Sequence, residues 1–183
     1  IKRKGIKLID ATCPFVKYAQ NIVKDLKKDG YEIIIVGDSA HPEVKALKSI
    51  AGKNKNSKKI GIISQTTQSK ENYTKEIKKI LKQGFSEVKI FNTICSDTSE
   101  RQLATRRLLE GCDIVIVVGG KNSANTKRLW QICKESGVDS FHIETELELK
   151  KDWFKGRKCA GITSGASTPD SMVKKITERI RRF

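Results

Sequence analysis

Asp10-Ala11-Thr12-Cys13-Pro14 and Asn92-Thr93-Ile94-Cys95 are two versions of one stretch, 82 residues apart (13 to 95). At the same offset Gln20 falls on Gln102, Leu26 on Leu108, Val36-Gly37 on Val118-Gly119, Lys45 on Lys127 and Leu47 on Leu129. The apolar run Ile33-Ile34-Ile35-Val36 overlies Val115-Ile116-Val117-Val118. The chain is therefore an internal repeat, and a repeat decides the architecture before any single element does. Each copy opens with a cysteine at a strand end. Two related units offering one thiol each at the same place are expected to present both thiols to a shared site.

Working outward, Lys7-Leu8-Ile9 reads as a short strand running into Cys13. Pro14 suits a first helical turn, where its missing N–H costs nothing. Val16, Ala19, Ile22, Val23 and Leu26 then recur at helical spacing. Glu32–Val36 and Ile60–Ser64 read as buried parallel strands, and residues 43–50 and 71–83 as helices. The second copy repeats the order: strand 88–91, helix 99–110, strand 113–118, helix 127–136, strand 159–164 and helix 172–182. Gly61-Ile62 and Ser64 match Gly161-Ile162 and Ser164 at an offset of 100 (61 to 161), so the second copy carries extra residues. Ser140-Phe141-His142-Ile143 is an added strand there. This alternation predicts two similar three-layer αβα domains with mainly parallel sheets. The expected boundaries are 14–90 and 91–183, with residues 1–13 closing a preceding domain. In such sheets ligands bind beyond the carboxyl ends of the strands, and the loops that stand out in this sequence lie at those ends.

The chain has 183 residues, with 37 Lys+Arg against 21 Asp+Glu, a formal net charge of +16. The charges are interspersed along helices, so a solvated Lys-rich surface accounts for most of them. The sharper reading is an anionic partner. No stretch approaches the roughly 20 apolar residues of a membrane span, and no signal-peptide pattern opens the chain. Five cysteines without scaffold spacing point to a reducing, cytoplasmic setting and to metal or cluster chemistry rather than a disulfide framework. The chain begins at Ile1, not Met, and is read as part of a longer protein.

Three constellations carry chemistry. Cys13 and Cys95 are soft-metal or iron–sulfur ligands by type, although two thiols do not enclose a cluster or a structural zinc. Cys112, Cys133 and Cys159 read as core. His41-Pro42-Glu43 places an imidazole and a carboxylate in one strand-end loop, where they can shuttle protons. The corresponding positions in the second copy are Ser123 and Asn125, which suggests that one copy moves protons while the other holds an anion. Thr66, Thr67, Ser123, Asn125 and Ser167 lie at strand ends before helices, where backbone N–H groups favour phosphate. Neither a dinucleotide fingerprint nor a Walker A loop is present.

Asp10-Ala11-Thr12-Cys13-Pro14, His41-Pro42-Glu43-Val44, Ser64-Gln65-Thr66-Thr67, Asn92–Cys95 with Arg101-Gln102, Gly120-Lys121-Asn122-Ser123-Ala124-Asn125-Thr126 and Gly165-Ala166-Ser167-Thr168-Pro169-Asp170 together resemble, in order, the 4-hydroxy-3-methylbut-2-enyl diphosphate reductase family. The resemblance runs through nearly the whole chain. It implies the second and third domains of a three-domain trefoil around a [4Fe-4S] cluster. The implied reaction reductively removes the substrate hydroxyl and gives isopentenyl and dimethylallyl diphosphates. Cys13 and Cys95 would be two cluster ligands and Glu43 the proton source. His41, Thr66 and Thr67 would place the substrate, and Ser123, Ala124, Asn125 and Ser167 would hold the diphosphate. A ferredoxin or flavodoxin type donor would supply electrons, with no nucleic acid and no membrane involved. Ala124 stands where the family often has a second Ser, leaving that contact to the backbone, and Asp97 stands where a small residue is common. The family's first domain, with its own cysteine, is not in this sequence, so the chain alone is expected to lack the cluster and the activity, with Cys13 mobile or differently oriented. The alternative reading is a phosphate-ligand or RNA-binding α/β module without catalysis. Against base stacking stands an aromatic content of 6%.

Overall fold

The structure, a computed structural model, describes residues 9–52 and 57–183. The chain divides between Ile94 and Cys95 into two compact units, each built on a three-stranded, all-parallel sheet. The first unit runs α1 (Pro14–Lys28), β1 (Glu32–Val36), α2 (Pro42–Ala51), β2 (Lys59–Ser64), α3 (Lys70–Ile80) and β3 (Glu87–Phe91). The second runs α4 (Ser96–Leu109), β4 (Ile114–Val118), α5 (Ala124–Glu135), β5 (Asp139–Ile143), β6 (Ala160–Ser164) and α6 (Asp170–Ile180). The strand expected at Lys7-Leu8-Ile9 lies mostly outside the described residues, and Ile9 itself is exposed and irregular.

Side chains alternate across each strand, and the cores follow that period of two. In the first unit Ile33, Ile35 and Ile63 pack with Ala19, Val23 and Leu26 of α1 and Leu47 of α2. The other face turns Ile34, Val36, Ile60 and Ile62 onto Tyr73, Ile77 and Ile80 of α3. The second unit repeats this. Val115 and Val117 meet Leu108 of α4 with Leu129 and Cys133 of α5. Ile114, Ile116 and Val118 meet Met172, Ile176 and Ile180 of α6. Each unit is thus an αβα sandwich.

One paired device fixes the helix that follows each cysteine-bearing loop. A Cβ built on Gly61 in β2 would lie 2.5 Å from Leu26 Cδ1, and one on Gly161 in β6 would lie 2.8 Å from Leu108 Cδ2 and Cγ. Leu26 and Leu108 are repeat equivalents, as are the two glycines. The missing side chain lets α1 and α4 press directly onto the sheet, a close approach only glycine permits.

The units differ in where the third strand goes. The shared pair is β1–β2 in one and β4–β6 in the other. In the first unit β3 adds beside β2, giving the order β1-β2-β3. In the second the added strand β5 lies beside β4, giving β5-β4-β6. Extra residues between α5 and β6 make this possible: they form β5 and two short 3₁₀ turns, Glu146–Glu148 and Lys151–Phe154. Trp153 from the second turn stacks on Phe141 of β5 with ring centroids 3.8 Å apart.

Candidate active site

Helices α2, α4 and α5 begin earlier than residue spacing alone indicates, because the motif residues themselves cap them. Cys13 is the N-cap of α1, His41 of α2, Cys95 of α4 and Ser123 of α5. The chemistry-bearing residues are therefore the last non-helical and first helical residues after each strand. There backbone N–H groups lack intrahelical partners and the helix dipole favours negative charge.

In the first unit the structure brings His41, Glu43 and Thr66 together. His41 Nδ1 accepts from the backbone N–H of Glu43 at 3.2 Å. In the neutral ring this leaves the proton on Nε2. Glu43 is 9% exposed. Its Oε1 accepts from the Thr66 backbone N–H at 2.8 Å and its Oε2 from the Thr66 hydroxyl at 2.8 Å. The carboxylate of α2 is thus locked to the loop leaving β2, 23 residues on. Thr67 is half-buried and accepts from Gln65 Nε2 at 2.8 Å.

Gln65 and Thr93 were quoted in the motifs but given no role, and both build this site. Gln65 Oε1 accepts from the Asp38 N–H at 3.0 Å, tying the loop after β1 to the loop after β2. A Cβ on Gly37 would sit 2.7 Å from Gln65 Cβ, so the glycine gives that side chain its place. The Thr93 hydroxyl is buried, accepts from Ser64 N–H at 2.9 Å and donates to Ser64 O at 2.5 Å. It holds the segment before Cys95 against the end of β2. Beside it a hollow of about 290 Å³ is lined by Pro14, Phe15, Tyr18, Asn92, Thr93 and Ile94, joining the first turn after Cys13 to that segment. A wider hollow of about 590 Å³ runs along the lysine-rich face of α3 and contains none of the candidate residues.

In the second unit Ser123 Oγ caps α5 by accepting from Thr126 N–H at 3.3 Å. Ala124 and Asn125 are the first two residues of that helix. Asn125 is 7% exposed, yet neither its Oδ1 nor its Nδ2 has a hydrogen-bond partner. A buried amide with both ends unmatched is rare in folded proteins and marks a place where a ligand or water completes the bonding. Ser167 is exposed in the loop between β6 and α6. That loop packs against α5, for a Cβ on Gly165 would lie 2.3 Å from Thr126 Oγ1. The three residues named for the anion thus sit on two adjoining loops of one sheet end. His142, read as a lone strand residue, has Nε2 2.8 Å from Gly119 O and supports the same end of β4.

The two cysteines named as ligands occupy equivalent backbone positions. Cys13 has φ −50° and ψ 134°, Cys95 φ −65° and ψ 131°, and neither thiol makes a capping bond. Cys13 is exposed and Cys95 half-buried. Among the described residues no three His, Cys, Asp or Glu side chains gather as a metal site. The donor set of this chain fits a cluster as part of its ligation.

Of the other three cysteines, Cys133 keeps to the core reading and Cys112 and Cys159 depart from it. Cys133 is buried core, and burial pushes its thiol up to about 11. Cys112 is half-buried and Cys159 exposed, with their sulfur atoms 3.3 Å apart.

Residues 1–181 match the LytB protein family. The chain belongs to that family. A 4-hydroxy-3-methylbut-2-enyl diphosphate reductase of Nitratiruptor is 43% identical, with all of this chain aligned to 70% of the relative. The enzyme of the same name from Campylobacter hominis is 46% identical over 98% of this chain and 70% of its own. That from Geobacter sulfurreducens is 43% identical over 99% and 68%. A solved reductase described as the terminal enzyme of the non-mevalonate pathway shares 39% identity over the whole of this chain and 70% of its own, at a TM-score of 0.62. The Plasmodium falciparum reductase matches at 0.85 with 29% identity, over 97% of this chain and 61% of its own. Among the described residues no helix is long and apolar enough to cross a membrane.

Proposed function

We propose that the protein carries out the reductive dehydroxylation of 4-hydroxy-3-methylbut-2-enyl diphosphate to isopentenyl and dimethylallyl diphosphates. The observation that carries this reading is the Glu43–Thr66 pair: a buried carboxylate fixed through both oxygens at the end of a parallel strand, with His41 capping the helix that bears it. The reaction consumes two electrons and two protons and releases water. Bound at Cys13 and Cys95, with ligation completed from elsewhere, an iron–sulfur cluster would supply the electrons, drawn from a ferredoxin or flavodoxin type donor. The residues of this chain do the rest. Glu43 delivers a proton to the departing hydroxyl, and Thr66 fixes the carboxyl group through both of its oxygens. His41 Nε2–H orients the substrate oxygen. Asn125, Ser123, Ser167 and the Ala124 backbone hold the diphosphate at the start of α5, where the helix N-terminus favours negative charge.

The test is made on the full-length, cluster-loaded enzyme. Glu43→Gln keeps the shape and removes the proton, so turnover falls by roughly 10²–10⁴-fold, the usual contribution of a general acid, with the substrate constant nearly unchanged. Wild-type turnover in that variant removes Glu43 from the role.

A further inference from the structure

We propose that Cys112 and Cys159 are a reversible dithiol–disulfide pair, a modification site at the opposite end of the second sheet from Ser123 and Asn125. It uses none of the residues assigned to the reductase reaction and does not depend on that reading.

The fold sets the pair up. Cys112 lies just before β4 and Cys159 just before β6, and these strands pair in parallel from Ile114 and Ala160 onward. Just ahead of that register, the Asp113 N–H donates to Cys159 O at 2.9 Å. The Asp113 carboxylate accepts from the N–H groups of Lys158 at 2.7 Å and Cys159 at 2.9 Å. The two backbones are therefore clamped on either side of the thiols. Gly161 supplies the space: a Cβ there would stand 3.0 Å from Cys112 Sγ. The sulfur atoms sit at 3.3 Å. A disulfide bond is about 2.05 Å long, so the sulfur atoms need approach by only about 1.2 Å to form one.

The repeat gives a second argument. The equivalents of Cys112 and Cys159 in the first unit are Gly30 and Lys59. The dithiol is thus no part of the machinery the two units share.

The thiols divide the work by exposure. Cys159 is open to solvent and meets the oxidant first. Cys112 is half-buried, and burial pushes its thiol up to about 11, so it waits as the protonated resolving partner. The oxidant is a low-molecular-weight disulfide. The Cys159 thiolate attacks one of its sulfurs, the small disulfide bond breaks and one small thiol leaves. Cys112 loses its proton and attacks Cys159 Sγ, expelling the second small thiol. In sum, one small disulfide is reduced to two thiols while one protein disulfide forms. The bond spans 47 positions of sequence. Closing a loop of that size raises the thermal midpoint of the second unit by on the order of 10 °C.

The experiment exposes the full-length protein, handled without oxygen, to oxidised glutathione, followed by alkylation and peptide mass mapping. Expected is a linked Cys112–Cys159 peptide pair, two hydrogens lighter than the separate peptides and restored by dithiothreitol, together with the rise in midpoint. Cys112→Ser should trap glutathione on Cys159. The proposal is overturned if Cys112 and Cys159 both remain alkylatable, or if wild-type protein accumulates glutathione on Cys159 without the crosslink.

Discussion

The two units use one scaffold for opposite electrostatic purposes, and the second position of α2 and of α5 shows how. Glu43 and Asn125 are repeat equivalents, each buried and each following an N-cap side chain that bonds back into its own helix. Glu43 has both oxygens satisfied by Thr66. Asn125 has neither end satisfied, and the residue at the Thr66 position of the second unit is Ala166, which carries no hydroxyl. Two changes, Glu43 to Asn125 and Thr66 to Ala166, separate an internally completed acid from an amide without a partner. A repeat can thus diverge at one facing pair of positions while its scaffold is kept.

The largest effect expected from this contrast is in catalysis. Beside the loss of turnover argued for Glu43→Gln, Asn125→Ala should act in the opposite pattern. It should raise the substrate constant several-fold to about tenfold, as for a lost hydrogen bond to a charged group of about 1.5–3 kcal/mol gross strength, with a smaller change in turnover. Steady-state kinetics on the loaded enzyme separate the two. An Asn125 variant that loses turnover at an unchanged substrate constant would break the division of labour.

Next comes stability without ligand. Glu43→Met strands the buried N–H and hydroxyl of Thr66 and should cost about 1–3 kcal/mol. Asn125→Leu removes two unpartnered polar atoms and should be neutral or stabilising. Denaturant midpoints with equal slopes decide it, and equal destabilisation by both would mean that Asn125 is satisfied in solution.

The glycine device is a similarity and should behave as one. Gly61→Ala and Gly161→Ala each force a Cβ into a leucine, Leu26 of α1 and Leu108 of α4, and overpacking of this kind costs about 1–3 kcal/mol. Hydrogen exchange mapped by peptide should show protection falling in β2 with α1 for the first variant and in β6 with α4 for the second. A variant without effect would show that α1 or α4 can lift from its sheet at little cost.

How much of this was legible follows from the physics of each feature. The αβα architecture came from the repeat, because apolar runs and their periods are local signals. The third strand of the second sheet was visible as Ser140–Ile143, but its place beside β4 was not, since edge choice depends on connections and not on strand composition. Cys13, Cys95, His41 and Ser123 were found as types, yet their common role as N-caps became plain only when α4 and α5 proved to start at Ser96 and Ala124. The Glu43–Thr66 lock joins residues 23 apart on different elements, and Asn125 is notable for what it lacks. Neither pairing nor its absence has a local signature. Cys112 and Cys159 read as core because cysteine usually is, and only the strand register revealed their contact.

The smallest expected effect lies at the amino ends of the two sheets, where the units again solve one problem differently. In the first, the Tyr31 hydroxyl donates to Glu87 and holds that carboxyl below its usual range, helped by Lys59 and Lys89. In the second, position 31 is replaced by its equivalent Asp113, whose carboxyl is held low chiefly by the N–H groups of Cys159 and Lys158. Both groups are solvent-exposed, so each contributes little. A carboxyl depressed in the folded state adds stability that is fully present above its unfolded value, about 4, and that is lost as pH falls through the lower folded value. Both units should therefore weaken slightly on acidification below about pH 4. Tyr31→Phe removes the principal partner in one unit only. Carboxyl-carbon NMR titration should then show Glu87 moving back toward the ordinary glutamate range while Asp113 stays where it was. If Glu87 keeps its depressed value in that variant, the lysines and not the tyrosine set it, and this end of the first sheet is held by charge alone.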